Sequence, residues 1–271
     1  MRRRAAAHAL AMLIVCAAPL AAQDATAPPD PASDAPRAEQ RPSDDKKPPT
    51  PEHTGIHALF RNLGEDYKNL AHLDNVLVAG VGGAAALAVH PWDPDVNAHL
   101  RSHYTLVNDI YAPAKYYGDT PEQVALSLGT YALGRIFDYP KASHLGMDLL
   151  RAQIVAESMV EPLKFAVGRE RPDASNHQSF PSGHSAVTFA AATVLERHLG
   201  WKKSALAYVV AAYVASSRLH DNVHYASDVM FGSAVGVIAG RTVTEHGAEY
   251  WTIVPTTTPS GGIAIVAVHV Q

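Results

Sequence analysis

The sequence predicts an all-α helical bundle followed by a short C-terminal β-hairpin. Apolar residues recur at three- and four-residue steps, as in Ile56, Leu59, Phe60, Leu63, Tyr67 and Leu70, which places them on one stripe of a helix. Thr120-Pro121-Glu122-Gln123 is a helix-start signal, with a capping residue, proline at the first helical position and glutamine three after the cap. Gly232, Gly236 and Gly240 repeat every four residues in an otherwise apolar run, which makes a small face on one helix. The 271 residues, 47% of them hydrophobic, suit one sizeable domain plus tails. A formal net charge of -4 gives no basic bias toward nucleic acid.

In chain order, Arg2-Arg3-Arg4, the apolar run Ala9 to Leu20 and small residues at Ala21-Ala22 have the order of a secretory signal peptide over residues 1–22. Cleavage there would remove Cys16, the only cysteine, so no disulfide is expected and the protein is expected to be exported, to the periplasm or a membrane surface facing it. Residues 23–53 are rich in Pro, Asp, Ala and Lys without apolar periodicity, and read as a disordered linker. The helical domain is expected over 54–248. Its first helix carries the Ile56 to Leu70 stripe opposite Arg61, Glu65, Asp66 and Lys68, with the stripe set against the core rather than a membrane surface. Val76 to Val89 is a small-residue helix that His90-Pro91-Trp92-Asp93-Pro94 should end.

A helix should then run from Thr120, as N-cap, to about Phe137, and another from near Ser143 to Lys164, fraying before Arg171 because of Gly168 and Pro172. Residues 173–180 read as a loop. Helices follow over about Gly183 to Leu199, Lys203 to Ser217 and Tyr225 to Thr244, with an exposed corner at Trp201-Lys202-Lys203. Residues 249–271, with Trp251 to Val254, a Pro-Ser-Gly-Gly turn and Ile263 to Val270, give the β-hairpin. The uncharged runs after the signal are shorter than the ~20 residues needed to span a bilayer, and Arg151, Glu157 and Glu161 are costly in lipid. A soluble domain, or one with peripheral membrane contact, is therefore expected.

Three polar clusters interrupt the apolar helices: Lys164 with Arg171-Pro172, then Pro181-Ser182-Gly183-His184, then Ser217-Arg218 with His224 and Asp228. They bring three cations together without an obvious counter-charge, so an anionic ligand is expected among them. The order and spacing, Lys-x6-Arg-Pro, Pro-Ser-Gly-His and Ser-Arg-x5-His-x3-Asp, resemble the signature of the type 2 phosphatidic acid phosphatase (PAP2) and vanadium haloperoxidase superfamily, and every signature position is matched.

The resemblance implies a metal-independent acid or lipid phosphatase within a bundle of that type. Lys164, Arg171 and Arg218 would hold the phosphate oxygens, with Ser182 and the amides at Gly183 and His184 as further donors at a helix start. His224 would attack phosphorus to give a phosphohistidine, Asp228 would fix its tautomer, and His184 would protonate the leaving group and then activate water. Each residue has a plainer role as well: Lys164 and Arg171 as a solvated helix end, Ser182 as an N-cap, Asp228 as a helix-start charge. Substrates would be phosphorylated small molecules or lipids, with no cofactor and with vanadate as an inhibitor. The alternatives are a haloperoxidase using vanadate as cofactor, a non-catalytic phosphate binder, and a zinc-binding protein using His220, His224 and Asp228, spaced four apart.

Overall fold

A computed structural model describes residues 55–101, 104–245, 250–257 and 263–270. The expected signal peptide and the whole expected linker lie outside them. Among the described residues nine α-helices follow one another: α1 (Ile56–Asn69), α2 (Leu73–Val89), α3 (Asp93–Leu100), α4 (Thr105–Tyr117), α5 (Thr120–Ile136), α6 (Pro140–Val167), α7 (Gly183–Leu199), α8 (Trp201–His220) and α9 (Ala226–Thr244). Two strands, β1 (Tyr250–Thr257) and β2 (Ile263–Val270), are antiparallel with Tyr250 opposite Val270. Their side chains lie outside the described residues, and the fold class, all-α, rests on the helices alone.

The core is built on α6, α7 and α9. Leu145, Leu149, Val155 and Val160 of α6 meet Ala186, Ala190 and Val194 of α7 and Val235, Ala239 and Val243 of α9, all buried. Small side chains let these helices approach until backbone meets backbone. A Cβ added at Gly232 would lie 2.4 Å from the Ser182 carbonyl oxygen, and one at Gly236 would lie 2.3 Å from that of Ala186. The expected glycine face therefore sets the distance between the two helices whose N-termini carry His184 and His224.

Several local expectations are corrected. The α1 stripe is split: Leu63 is in the core with Leu59 and Leu70 against it, whereas Ile56 and Phe60 are about 70% exposed. Asp66, expected on the solvent face, is buried, with an Oδ2 to Arg151 Nη1 distance of 3.4 Å. The small-residue helix does end at Val89 as expected, but the chain stays helical beyond it, because Pro91 and Pro94 each occupy the first turn of a new element, a 3-10 turn over His90–Trp92 and then α3. The result is one helical run, Leu73–Leu100, of 28 residues, long and apolar enough by length and composition to cross a membrane, with 17% of its apolar 18-residue window buried. The N-cap position of α5 is Asp119, without a side-chain capping bond, one residue before the expected Thr120, whose hydroxyl donates to Glu157 Oε1 at 2.5 Å. Helix α4, with Pro113 inside it, has no counterpart among the expected elements.

Candidate active site

The site is assembled from four helix termini, the ends of α6 and α8 and the starts of α7 and α9, and from the loops that carry Arg171 and His224. Helix α6 delivers Lys164 in its last turn and stops at Gly168, which caps it in the left-handed conformation at φ 58°. That residue type is suited to this backbone because it has no Cβ to clash. The chain then leaves the helix axis, so Arg171 stands on a loop rather than on the face that carries Lys164. There its amide and its Nε both bond Asn176, each at 2.9 Å. Helix α7 starts at Gly183, and Ser182 caps it: the hydroxyl, fully buried, accepts from the Ser185 amide at 3.5 Å and from the Ser185 hydroxyl at 3.1 Å. Ser182 thus has the plainer of its two expected roles. The Gly183 and His184 amides, in the first turn, have no intrahelical carbonyl to meet. A Cβ at Gly183 would come within 3.4 Å of Lys164 Nζ, so glycine here lets the cation lie against the helix start.

Lys164 and Arg218 are not a solvated surface. Their side chains are 13% and 7% exposed. The expectation that they lack counter-charges is corrected: Lys164 Nζ is 2.6 Å from Glu161 Oε1, and Arg218 Nη1 is 3.4 Å from Asp221 Oδ2. Both carboxylates are partly open to solvent, so water screens them on one side. Arg218 Nε is buried with no hydrogen-bond partner among the described residues. An unmet buried donor on a cation is costly and marks where an anion oxygen would fit.

His224 is buried between these cations. Its Nδ1 lies 2.6 Å from the Ser179 carbonyl oxygen, which can only accept. Nδ1 therefore carries the proton, and Nε2 keeps its lone pair. Asp228 Oδ2 is 3.6 Å from the same nitrogen, so the tautomer is set first by the Ser179 carbonyl and only supported by the Asp228 charge. Sequence spacing pointed to Asp228 and missed Ser179, because a backbone acceptor has no signature. Burial lowers the His224 pKa, an effect that Asp228 opposes and that Arg171 and Arg218 reinforce.

Asp228 is itself held by several donors. Oδ2 accepts from the Ser179 hydroxyl at 2.5 Å and from the Tyr225 amide at 2.8 Å, the latter capping α9. Oδ1 accepts from Arg169 Nη1 at 2.6 Å. Burial alone would raise this carboxyl, but His224, Ser179, Tyr225 and Arg169 together hold it below the usual range. Arg169, missed from the sequence, also reaches Asp93 Oδ2 at 2.8 Å and lies over the Tyr225 ring, 4.1 Å from its centroid. Asp93 in turn accepts from the Ser227 amide at 2.9 Å. The signal available was Arg169, two residues before Arg171, in a loop otherwise poor in reasons for a cation.

His184 faces the same cluster. Burial pushes its pKa down to about 3, with Arg218, His224 and Lys164 adding repulsion. Its Nε2 is 3.0 Å from Asp119 Oδ1, but the approach lacks hydrogen-bonding geometry. The Asp119 carboxyl is raised by burial and by Glu122. The zinc alternative through His220 fails on geometry: the His220 ring stacks on Tyr111, with Nδ1 and Nε2 against Leu100 O and Asn108 Oδ1 at 3.2 and 2.9 Å. It does not converge with His224 and Asp228.

The PAP2 superfamily model matches residues 145–247, which contain all eight expected site residues. Among curated relatives, the chain is 42% identical over 86 residues to a lipid A 1-phosphatase of Porphyromonas gingivalis, covering 31% of this chain and 19% of that protein. It is 35% identical over 102 residues to the decaprenylphosphoryl-5-phosphoribose phosphatase of Mycobacterium tuberculosis, covering 34% of this chain and 56% of that one. The chain thus spans between about a fifth and just over half of these relatives. Among solved structures, the transmembrane PAP2 type phosphatidylglycerolphosphate phosphatase of Bacillus subtilis superposes with a TM-score of 0.54 at 24% identity, over 63% of this chain and 92% of that one, a likeness of fold.

Proposed function

Residues 145–247 form a PAP2 superfamily region, and from that premise we propose that the chain is a metal-independent phosphatase acting on phosphorylated lipids through a phosphohistidine intermediate. The observation that carries the mechanism is the 2.6 Å bond from His224 Nδ1 to the Ser179 carbonyl, which leaves Nε2 as a free nucleophile among the cations. The named lipid-phosphate substrates of the relatives, and the exposed apolar run Leu73–Leu100, support lipid over soluble substrates.

In the first step His224 Nε2 forms a bond to phosphorus as the P–O bond to the leaving group breaks. Lys164, Arg171, Arg218 and the Gly183 and His184 amides offset the charge on the phosphoryl oxygens. His184 gives a proton to the leaving oxygen; it then takes one from water, which attacks phosphorus as the P–N bond breaks and frees phosphate. The depressed His184 pKa fits this cycle. In the free site the cations repel a proton from the ring; a bound phosphate dianion cancels part of that field and raises the pKa, so the acid forms when substrate is present.

Acid-quench trapping of labelled phosphoenzyme and phosphate-release kinetics, on lipid and soluble phosphates with and without detergent, test the proposal. His224→Ala is expected to lose turnover and phosphoenzyme while still binding vanadate, and His184→Ala to slow both steps, the first of them least with a nitrophenyl ester. Full turnover in His224→Ala refutes the mechanism. Preference for soluble esters refutes the substrate class.

A further inference from the structure

Away from the catalytic cluster, the structure places two imidazoles on one buried carboxylate oxygen. Asp148 Oδ2 lies 3.1 Å from His144 Nε2 and 2.8 Å from His198 Nε2. His144 and Asp148 are one turn apart on α6, and His198 comes from the last turn of α7. On α7, His198 is roughly 21 Å along the helix axis from His184 at 1.5 Å per residue, so this cluster lies at the opposite end of the bundle from the phosphate site.

We propose that His144, Asp148 and His198 form a structural site for a divalent transition ion of the zinc type, which staples α6 to α7. The residue types are those zinc takes, and the three donor atoms lie within 4.8 Å of one another. With metal–ligand bonds of about 2.0–2.1 Å, tetrahedral neighbours stand roughly 3.3 Å apart, so the 2.8 and 3.1 Å separations from Asp148 need a small opening and the two imidazoles, within 4.8 Å of each other, a closing of up to about 1.5 Å.

The surroundings suit a ligand set as well. The other Asp148 oxygen, Oδ1, accepts from Arg151 Nη2 at 2.7 Å, and that nitrogen also donates to the Val243 carbonyl of α9 at 2.6 Å. Such outer bonds orient a ligating carboxylate, while Oδ2, hydrogen-bonded to His198 Nε2 at 2.8 Å, is the oxygen at which an ion would replace the imidazole proton. The Arg151 charge is shared with Asp66, 3.4 Å away, rather than opposing the ion alone. His198, the most open of the three, gives the path of entry.

The role is structural and separate from the proposed phosphatase chemistry, so loss of one leaves the other measurable. The test uses the tag-free full chain, stripped with chelator, with zinc sulfate as probe and magnesium as control. Elemental analysis after desalting is expected to give one zinc per chain, and a thermal melt to rise by roughly 5 °C or more with excess zinc. Both responses should be lost in His198→Ala and His144→Gln, and kept in His184→Ala. Because His198 lies at a helix end and is partly open, His198→Ala keeps the test readable if His144→Gln does not fold. Absence of bound zinc and of a melting shift in the native chain, or equal binding by native chain and His198→Ala, overturns the proposal.

Discussion

Arg169 shows how one side chain can hold a site together without reaching the substrate. It joins Asp228 at 2.6 Å and Asp93 at 2.8 Å, and both carboxylates are almost wholly buried. Removing it would leave two buried charges without their main cation, and a stability loss of about 2–4 kcal/mol is expected for Arg169→Ala. The pH dependence follows from the direction of the Asp228 shift. A carboxyl held below its unfolded value contributes stability that is present above the unfolded pKa and is lost as pH falls through the folded one. Without Arg169 the folded value rises toward the unfolded one, so less stability is left to lose and the gap between native chain and variant is widest near neutrality. Denaturant midpoints between pH 3 and 7 measure it; a constant gap across that range contradicts the linkage. In turnover the variant is expected to lose kcat more than KM, since Arg169 acts through Asp228. The signature residues were legible because ionic side chains at fixed spacing stand out from apolar helices. Ser179 and Asp93 were not, since one acts through its backbone carbonyl and the other lies in a segment that read only as a helix stop.

Among the elements, the pairing of α7 with α9 matters most, since their N-termini carry His184 and the approach to His224. The four-residue glycine spacing made the small face of α9 legible but not the helix it meets, and the bounds of α7 agree with expectation because Ser182 and Gly200 mark both ends chemically. Element starts were less legible where a cap and its neighbour have similar chemistry, as with Asp119 and Thr120. Helix α4 went unseen because Pro113 and a short sequence mask its period. Gly236→Ala is expected to force α7 and α9 apart, because the new methyl would stand 2.3 Å from a backbone oxygen that cannot rotate away. A cost of roughly 1–3 kcal/mol and a fall in activity without any change of a site residue should follow. Gly80→Ala is the control: nothing lies within 4 Å of the added methyl, and helix propensity alone favours alanine by about 0.5–1 kcal/mol. Thermal melts of the two variants should move in opposite directions, and similar shifts would show that the close approach does not set the packing.

For the molecule as a whole, two of the three charges that argued against lipid when read along the sequence have partners inside the bundle, whereas Glu161 stays partly exposed. Arg151 is buried beside Asp148, and Glu157 accepts from Thr120. Outside, the helices present Val76, Leu77, Val81 and Leu87 on α2, Leu106 and Ile110 on α4, and Leu206 and Val209 on α8, all exposed. Linear hydropathy missed this, because Pro91 and Pro94 divided one helical run into two short ones and because inward charges dilute the apolar signal of outward faces. An apolar surface on this scale is costly in water, and a bilayer removes that cost. Of the two expected behaviours, soluble or in peripheral contact with a membrane, these faces favour the second, and lipid association is the prediction. Purified protein freed of detergent in the presence of phospholipid vesicles is expected to float with them through a density gradient at high salt, where charge attraction is screened. A double change on α2, Leu77→Asp with Val81→Asp, should weaken flotation while leaving turnover of a soluble nitrophenyl phosphate, measured in detergent, within about twofold. Those two side chains face away from the core, so each added carboxylate is paid for only when the face enters lipid. Native protein that stays monodisperse in detergent-free buffer and remains at the bottom of the gradient would refute the association.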